Sequence, residues 1–351
     1  MRPDRGPARN QRRAVTLDTA GWARPAGTPA GRGLPLLLRP GHDGVDLAEW
    51  ADAHPRRVRD LLSRHGALLF RGFGVTGEGF GDVVRALAGE PLAYMERSSP
   101  RTEVGDRIYT ATDHPADQPI ALHNENSYRR ECVATLVFCC LAAPERGGAT
   151  TVADTRRVLA RLDPQVVRAF ARHGVRYVRN YGDDHGGVGL SWPEVFQTGN
   201  RKEVAAYCRE RGIDLEWKPG GGLRTSQVRP AVARHPVTGE RVWFNHAAFF
   251  HVTSLPPRVR DALLAQFAEE DLPNSTSYGD GRPIEPEVLR CLHDAYRDER
   301  VAVPWREGDV MVVDNLLAAH GREPFSGTRR VLVGMAGSLR WDEIRAAEEP
   351  P

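Results

Sequence analysis

The sequence has almost no lysine and no long apolar run. Lys202 and Lys218 are the only lysines among 48 basic residues, and 46 acidic residues leave a formal net charge of +2. Such a balance does not predict a nucleic-acid-binding surface. No apolar stretch approaches the roughly eighteen residues that a membrane-spanning helix needs, so we expect no membrane association.

Cysteine and nucleotide-binding motifs are also scarce. The five cysteines are odd in number and show no CxxC spacing. This pattern argues against a disulfide framework and a zinc knuckle, and it predicts reduced thiols in a cytoplasmic protein. No GxGxxG or phosphate-loop motif is present. The twin arginines Arg12 and Arg13 precede no apolar segment, which disfavours an export signal.

The remaining sequence predicts one domain that is mainly β with α insertions. Residues 1–33 contain seven arginines interleaved with Pro, Gly and Ala, and predict a disordered arm. Residues 34–345 form the expected single domain, and 346–351 a C-terminal tail. Hydrophobic periodicity predicts helices over 55–65, 154–173, 201–211 and 255–269. Apolar β-rich runs predict strands over 67–73, 132–141, 174–181, 240–247, 309–315 and 329–337. Irregular alternation of these elements favours a sandwich or barrel.

One short motif, His123-Asn124-Glu125, has metal-binding spacing. Residues i and i+2 of an extended segment point to one face, so an imidazole and a carboxylate could reach a single ion. The chain has twelve histidines, and about one or two such pairs are expected by chance, so the motif is weak alone.

His320 supplies a possible third ligand. It follows the apolar run DVMVVDNLLAA and precedes HGREPFSGT, so we expect it at the end of a strand, opening a loop at a barrel mouth. Two histidines and one carboxylate form the facial set that holds iron(II) and leaves three positions open. A bidentate keto acid and dioxygen would fill them. Arg329 and Arg330 could grip the far carboxylate of the keto acid, and only one of two consecutive strand residues can point inward.

Four ordered stretches resemble the taurine dioxygenase and clavaminate synthase-like superfamily. They are IALHNENSYRRE (120–131), GGATTVADTRRVLARLDP (147–164), VWFNHAAFFH (242–251) and VVDNLLAAHGREPFSGTRRVLVGMAG (312–337). The sequence is most similar to natural-product members such as the syringomycin-type aspartyl hydroxylases. The resemblance covers roughly residues 65–340.

The resemblance implies a double-stranded β-helix, or jelly-roll, core decorated by helices. It implies His123, Glu125 and His320 as iron(II) ligands, and Arg330 and Thr150 as residues that bind 2-oxoglutarate. Related halogenases have a small residue where Glu125 stands, so its presence favours hydroxylation or desaturation. The implied substrate is a small molecule or a carrier-bound group, with O2 as oxidant and succinate and carbon dioxide as products. Two alternatives remain, a zinc hydrolase using the same triad and a non-catalytic jelly-roll binding module.

Other polar residues are weaker candidates. The spacing of His246 and His251 fits neither a helix face nor a strand face, which argues against a second metal site. Asn245 or His246 could line the substrate cavity, and Asp183, Asp184 and His185 lie in a glycine-rich segment that could form a lid. The polar residues placed nearest the substrate are Tyr94, Arg97, Ser98, Ser127 and Tyr128. Arg322 could shape the loop after His320.

Overall fold

The computed structural model describes residues 19–28, 33–183 and 189–346. The described strands are β1 Ala23–Pro25, β2 Leu36–Pro40, β3 Ala67–Phe70, β4 Glu103–Gly105, β5 Ile108–Thr110, β6 Ile120–His123, β7 Glu131–Ala142, β8 Arg146–Gly147, β9 Thr150–Asp154, β10 Val175–Tyr181, β11 Asp214–Trp217, β12 Leu223–Arg229, β13 Val232–Arg234, β14 Arg241–Trp243, β15 Asn274–Tyr278, β16 Val301–Val303, β17 Val310–Asp314, β18 Ala318–Arg322, β19 Phe325–Ser326 and β20 Arg330–Arg340. The described α-helices are α1 Leu47–Ala53, α2 Pro55–His65, α3 Phe80–Ala88, α4 Thr155–Arg161, α5 Pro164–His173, α6 Trp192–Phe196, α7 Arg201–Arg211, α8 Pro257–Gln266, α9 Pro286–Glu299 and α10 Trp341–Ile344.

Most predicted helices are present, but one is divided. Helix α2 has the predicted bounds, with Pro55 at its first turn and Gly66 ending it at a φ of 71°. The single helix predicted over 154–173 is wrong, because the structure has α4 and α5 there. The Asp163 side chain accepts a hydrogen bond from the backbone of Gln165, and Pro164 cannot donate a helical hydrogen bond. The Asp163-Pro164 pair therefore starts a second helix, although the helical spacing of apolar residues continues through this point without a break.

The predicted disordered arm is partly ordered. Residues 1–18 and 29–32 lie outside the described part of the chain, as do residues 347–351 of the predicted tail. Strand β1 pairs antiparallel with β2, with Arg24 opposite Arg39. The disordered-arm prediction is therefore wrong for 23–25, because backbone pairing orders a segment whose composition carries no strand signal.

Two sheets enclose the core. The larger sheet has the order β1-β2-β3-β17-β7-β20-β5-β4, and the smaller one β16-β9-β18-β6. One buried cluster joins Leu136, Met311 and Val333 of the larger sheet with Val152 and Ala318 of the smaller sheet. The mainly β architecture with helical insertions is thus confirmed.

Helices cover the outer faces of both sheets. Leu68 and Phe70 of β3 point to the cluster that contains α2 and α3, whereas Ala67 and Leu69 point to the core between the sheets. This alternation is the two-residue period of a strand buried on both sides. On the smaller sheet, a second cluster contains Val158 of α4, other side chains of α9 and β10, and Leu122, Ala153 and Ala319. Within the described residues, no helix is long and apolar enough to cross a bilayer.

Candidate active site

The smaller sheet brings His123, Glu125 and His320 together. His123 ends β6, and His320 lies inside β18 directly opposite it in the antiparallel register. One ligand atom from each of the three residues lies within 4.8 Å of the others, and all three residues are buried. The expectation that His320 opens a loop is wrong, because its strand pairs with both β6 and β9. Pairing on both sides gives this imidazole a more rigid position than a loop would.

The Glu125 backbone is fixed by Asn315, which follows β17. The Asn315 Oδ1 accepts a hydrogen bond from the Glu125 N–H at 2.7 Å, and its Nδ2 donates to the Glu125 carbonyl at 2.8 Å. Nδ2 also donates to the Val133 carbonyl at 2.7 Å. The Asn315 side chain therefore replaces strand pairing just after β6 ends. Sequence reasoning missed this role, since no local pattern links positions 190 residues apart.

Both histidines are neutral imidazoles suited to metal binding. His123 Nδ1 lies 2.9 Å from the Ala121 carbonyl, which fixes the proton on Nδ1 and leaves a lone pair on Nε2. Burial lowers the pKa of His123, and the Glu125 carboxylate only partly offsets that effect. Burial, followed by His123 and Arg101, holds the pKa of His320 well below its usual value. His320 Nε2 lies 3.9 Å from Glu125 Oε2.

An arginine that sequence reasoning missed contacts the triad. The Arg101 Nη2 donates to Glu125 Oε2 at 2.6 Å, and the two side chains are 4% and 1% exposed. Burial is the largest single influence and disfavours the Arg101 cation, but the Glu125 carboxylate together with Tyr94 and Tyr128 raises the pKa of Arg101 above its usual value. Arg101 precedes β4 in an irregular segment that carries no recognisable motif, so no sequence signal pointed to it.

A cavity of about 230 Å³ opens beside the triad. Its walls include His123, His320, Thr150 and the Phe249 ring, which stacks on His123 with ring centroids 4.3 Å apart. The other lining residues include Ser98, Arg101, Thr112, His114, Gln118, Phe138, Phe250, Leu255, Asn274, Gly321, Arg322 and Arg329. A concave, largely apolar chamber with a few converging polar groups is the usual form of a small-molecule site.

Arg329, rather than Arg330, faces this cavity. Arg329 is among the lining residues, and its Nε donates to the Gly148 carbonyl at 3.1 Å. Arg330 is exposed and does not line the cavity. The prediction that Arg330 binds the co-substrate therefore disagrees with the geometry, because Arg330 at the start of β20 is exposed and Arg329 just before this strand lines the cavity. The number of residues after His320 could not show which of the two arginines faces the cavity, because the strand register shifts at Arg330.

Arg329 is a partly buried cation without an acid partner. Burial, and then nearby Arg322, lowers the pKa of Arg329 to about 10, so it stays protonated at neutral pH. Among the described residues, no carboxylate lies within ion-pair distance of it. Thr150 lines the same cavity, and its hydroxyl oxygen accepts a hydrogen bond from Trp305 Nε1 at 2.9 Å. The Thr150 hydroxyl hydrogen is thus available to a ligand.

Of the five residues expected nearest the substrate, only Ser98 lines the cavity. The Tyr94 ring is buried, and Arg97 donates to the Tyr94 carbonyl. Ser127 contacts His246, and Tyr128 donates to the Glu96 carbonyl. The expectation is wrong for these four residues, because their polar groups bond within the protein.

The remaining candidates have structural surroundings. Asn245 donates to the Ala231 carbonyl and does not line the cavity. His246 does not line it either, although its ring lies 5.7 Å from that of His123. Arg322 was expected to shape the loop after His320, but its guanidinium donates to three carbonyls in the 114–118 segment and so holds that part of the cavity wall. Residues 184–188, including Asp184 and His185 of the expected lid, lie outside the described residues.

The donor set fits a divalent transition metal. Two neutral imidazoles and one carboxylate form an incomplete coordination shell that leaves room for exogenous ligands on the cavity side. His320 Nδ1 is buried without a hydrogen-bond partner among the described residues, so no contact there fixes the tautomer, and the ring nitrogen that carries no proton can offer its lone pair to an ion. The donor set alone fits iron(II) and zinc equally well.

Comparison with known proteins distinguishes between these two metals. The family model of the taurine catabolism dioxygenase TauD, TfdA family matches residues 31–336. The chain is 41% identical to dapdiamide synthesis protein DdaC of Enterobacter agglomerans over 308 residues, which cover 88% of this chain and 91% of the relative. It is 33% identical to a clavaminate synthase-like protein of Arabidopsis thaliana over 287 residues, 78% of this chain and 82% of that protein.

A solved structure shares the fold. PvcB of Pseudomonas aeruginosa aligns with a TM-score of 0.54 and 20% identity, covering 93% of this chain and 96% of that one. A second PvcB structure, described as an Fe, alpha-ketoglutarate dependent oxygenase from an isonitrile synthetic pathway, aligns with a TM-score of 0.53, 20% identity and coverage of 95% and 98%.

Proposed function

Because the chain belongs to the taurine catabolism dioxygenase TauD, TfdA family and is an iron(II)- and 2-oxoglutarate-dependent dioxygenase, we propose that it hydroxylates an unactivated C–H bond of a small or carrier-bound, amino-acid-derived substrate. Its cofactors are iron(II), 2-oxoglutarate and O2. The observation that carries the proposal is the buried convergence of His123, Glu125 and His320 at a cavity that also contains Arg329.

His123, Glu125 and His320 hold the iron in this proposal. The antiparallel pairing of β6 and β18 sets the separation of the two imidazoles, and Asn315 sets the direction of the carboxylate. Because these positions come from sheet register and buried hydrogen bonds, little rearrangement is needed when the ion binds.

Arg329 and Thr150 bind the distal carboxylate of 2-oxoglutarate. The terminal nitrogens of Arg329 can meet this carboxylate with two parallel charge-assisted hydrogen bonds. The Thr150 hydroxyl donates a third, since Trp305 already occupies one of its acceptor sites. This arrangement gives Arg329 the anionic partner that it lacks among the described residues.

Iron(II) held by this triad and 2-oxoglutarate held by Arg329 and Thr150 would together supply oxygen activation, with one oxygen atom of O2 going to succinate as carbon dioxide is released and the other to the substrate. Phe249, stacked on His123, and Phe138 limit water in the chamber. Glu125 occupies the position that is vacated in related halogenases, which supports hydroxylation over halogenation.

The relatives support a place in natural-product biosynthesis. DdaC is named for dapdiamide synthesis, and it aligns with nearly the whole of this chain. We assign the chain to the same kind of pathway. We further propose that the larger and smaller sheets are the two halves of a double-stranded β-helix, which the buried cluster shared by the two sheets supports.

Anaerobic addition of iron(II) and then 2-oxoglutarate tests the proposal. A weak visible charge-transfer band should appear when the chelated keto acid forms, and His320→Ala should abolish it. Asn200→Ala, at the exposed first turn of α7, is the matched control and should retain the band. Oxygen-dependent succinate release against free and carrier-loaded amino acids then identifies the substrate.

Two results would replace the proposal. Tight zinc binding with hydrolysis of a substrate, and no band with iron, would favour a zinc hydrolase. Ligand binding without oxygen-dependent succinate release from any substrate would favour a binding module.

A further inference from the structure

Arg101 is a buried cation whose hydrogen bonds are incomplete. Its Nη2 donates to Glu125, but its Nε and Nη1 are buried and have no hydrogen-bond partner in the described part of the chain. Arg101 also lines the cavity. A guanidinium has five N–H donors, and an arginine inside a protein normally uses most of them. The unpaired donors therefore indicate a further acceptor that occupies the cavity during function.

The cavity wall has an excess of positive charge. Its arginines are Arg101, Arg322 and Arg329, and among residues 19–28, 33–183 and 189–346 no aspartate or glutamate lines it. Arg322 is committed to backbone carbonyls of the 114–118 segment. In the proposed function Arg329 is neutralised by the co-substrate. Arg101 is thus the remaining cation of the wall, and its acid partner is Glu125.

Glu125 cannot fully neutralise both a metal ion and Arg101. When it ligates a divalent ion, its charge is largely compensated by the metal, and its attraction for Arg101 falls. A buried guanidinium then lacks a full counter-ion, which is strongly unfavourable in a low-dielectric site. An anionic group on a second ligand would restore the balance.

We propose that Arg101 is a specificity-determining residue that binds a carboxylate of the substrate once the metal occupies Glu125. This inference rests on the proposed function, since it assumes that Glu125 is a metal ligand. It narrows the substrate class to molecules with a free carboxylate close to the oxidised carbon. It also couples metal binding to substrate binding, because Arg101 becomes available to the substrate carboxylate when the metal binds Glu125.

The surroundings of Arg101 hold its guanidinium in place for this role. The guanidinium carbon lies 4.8 Å from the centroid of the Tyr94 ring, a cation–π contact. The Tyr94 hydroxyl in turn contacts Ser98, another residue of the cavity wall. The aromatic support lets Arg101 exchange hydrogen-bond partners without moving its charge far.

Binding of shape-matched probes that differ in charge to the zinc-loaded protein tests this assignment without turnover. The probes are butanoate with butanamide, and benzoate with benzamide, each measured by ligand-observed NMR in the presence of saturating N-oxalylglycine. N-oxalylglycine fills the co-substrate position, so the probes cannot bind at Arg329. We expect each carboxylate to bind about tenfold or more tightly than its amide. Arg101→Gln should remove this preference, and Arg101→Lys should retain part of it.

Arg97→Gln is the matched control. Arg97 also lies over the Tyr94 ring, at 5.8 Å, but it does not line the cavity. This variant should keep the carboxylate preference of the native protein. In the metal-free protein the preference for carboxylates over amides should be smaller, because Arg101 then stays paired with Glu125. By thermodynamic linkage, a carboxylate probe should tighten zinc binding by the same factor.

The proposal is overturned if carboxylates and amides bind the native protein equally, or if Arg101→Gln leaves the preference unchanged. A preference that is independent of the metal would also overturn it. Failure of N-oxalylglycine to bind would count against the proposed function instead. The metal dependence of the carboxylate preference, measured without N-oxalylglycine in the Arg329→Gln variant, would still decide the role of Arg101.

Discussion

Neutral substitution of Arg329 should greatly weaken 2-oxoglutarate binding, whereas the same change at Arg330 should not. Arg329 is partly buried at the cavity and lacks an acid partner among the described residues, while Arg330 is exposed. A lost charge-assisted, partly desolvated contact costs about 2–3 kcal/mol. Arg329→Gln should therefore raise the Kd for 2-oxoglutarate roughly 30- to 150-fold. Exposed substitutions usually stay within about 0.5 kcal/mol, so Arg330→Gln should change Kd about twofold or less.

Anaerobic titration of the iron-loaded protein with 2-oxoglutarate, followed through the charge-transfer band, measures both constants. Iron affinity should be unchanged in both variants, because neither residue is proposed as a ligand. A large loss for Arg330→Gln with a small loss for Arg329→Gln would refute the assignment. It would mean that Arg330, and not Arg329, faces the co-substrate when the co-substrate is bound.

Three further predictions concern the framework of the site. Asn315→Ala should lower the free energy of unfolding by about 3 kcal/mol or more, measured by urea denaturation, because it leaves the buried backbone groups of Glu125 and the Val133 carbonyl without this partner. Gly321→Ala should weaken iron binding and destabilise the fold by about 1–3 kcal/mol, since a Cβ there would lie 2.5 Å from a carbonyl oxygen of β6. Burial holds the pKa of His246 and of His320 well below 6.5. As the pH is lowered, these two imidazoles take up protons in the unfolded chain before they do so in the folded protein, which favours unfolding. The urea concentration at the unfolding midpoint of the metal-free protein should therefore decrease when the pH is lowered from about 7 to about 5.

Matched variants separate these effects from general damage. Asn200→Ala removes an exposed helix cap and should cost about 1 kcal/mol. Gly199→Ala places its Cβ in open space and should leave iron binding intact. His246→Gln should flatten the pH dependence. Equal losses for Asn315→Ala and Asn200→Ala, normal iron binding by Gly321→Ala, or a urea midpoint that rises on acidification would contradict the respective explanation.

Local signals predicted several elements well. Helix α2 begins at Pro55 and ends before Gly66 as its pattern indicated, and α7 has the predicted bounds. The divided helix at Asp163-Pro164 was missed because hydrophobic periodicity continues through the break. Strand β1 was missed because arginine and proline carry no strand propensity, and only pairing with β2 defines it.

The sequence by itself determined the chemical types at the site. The His-x-Glu motif at 123–125, a distant His320 and a nearby arginine pair predicted a divalent-metal site and an anionic co-substrate, because ligand chemistry depends on residue type. Only the tertiary structure decided which residues meet. Sheet register placed His320 opposite His123, the chain just before β20 directed Arg329 to the cavity, and packing brought Asn315 and Arg101 to Glu125. These contacts join segments far apart in the chain, and no local pattern encodes their geometry.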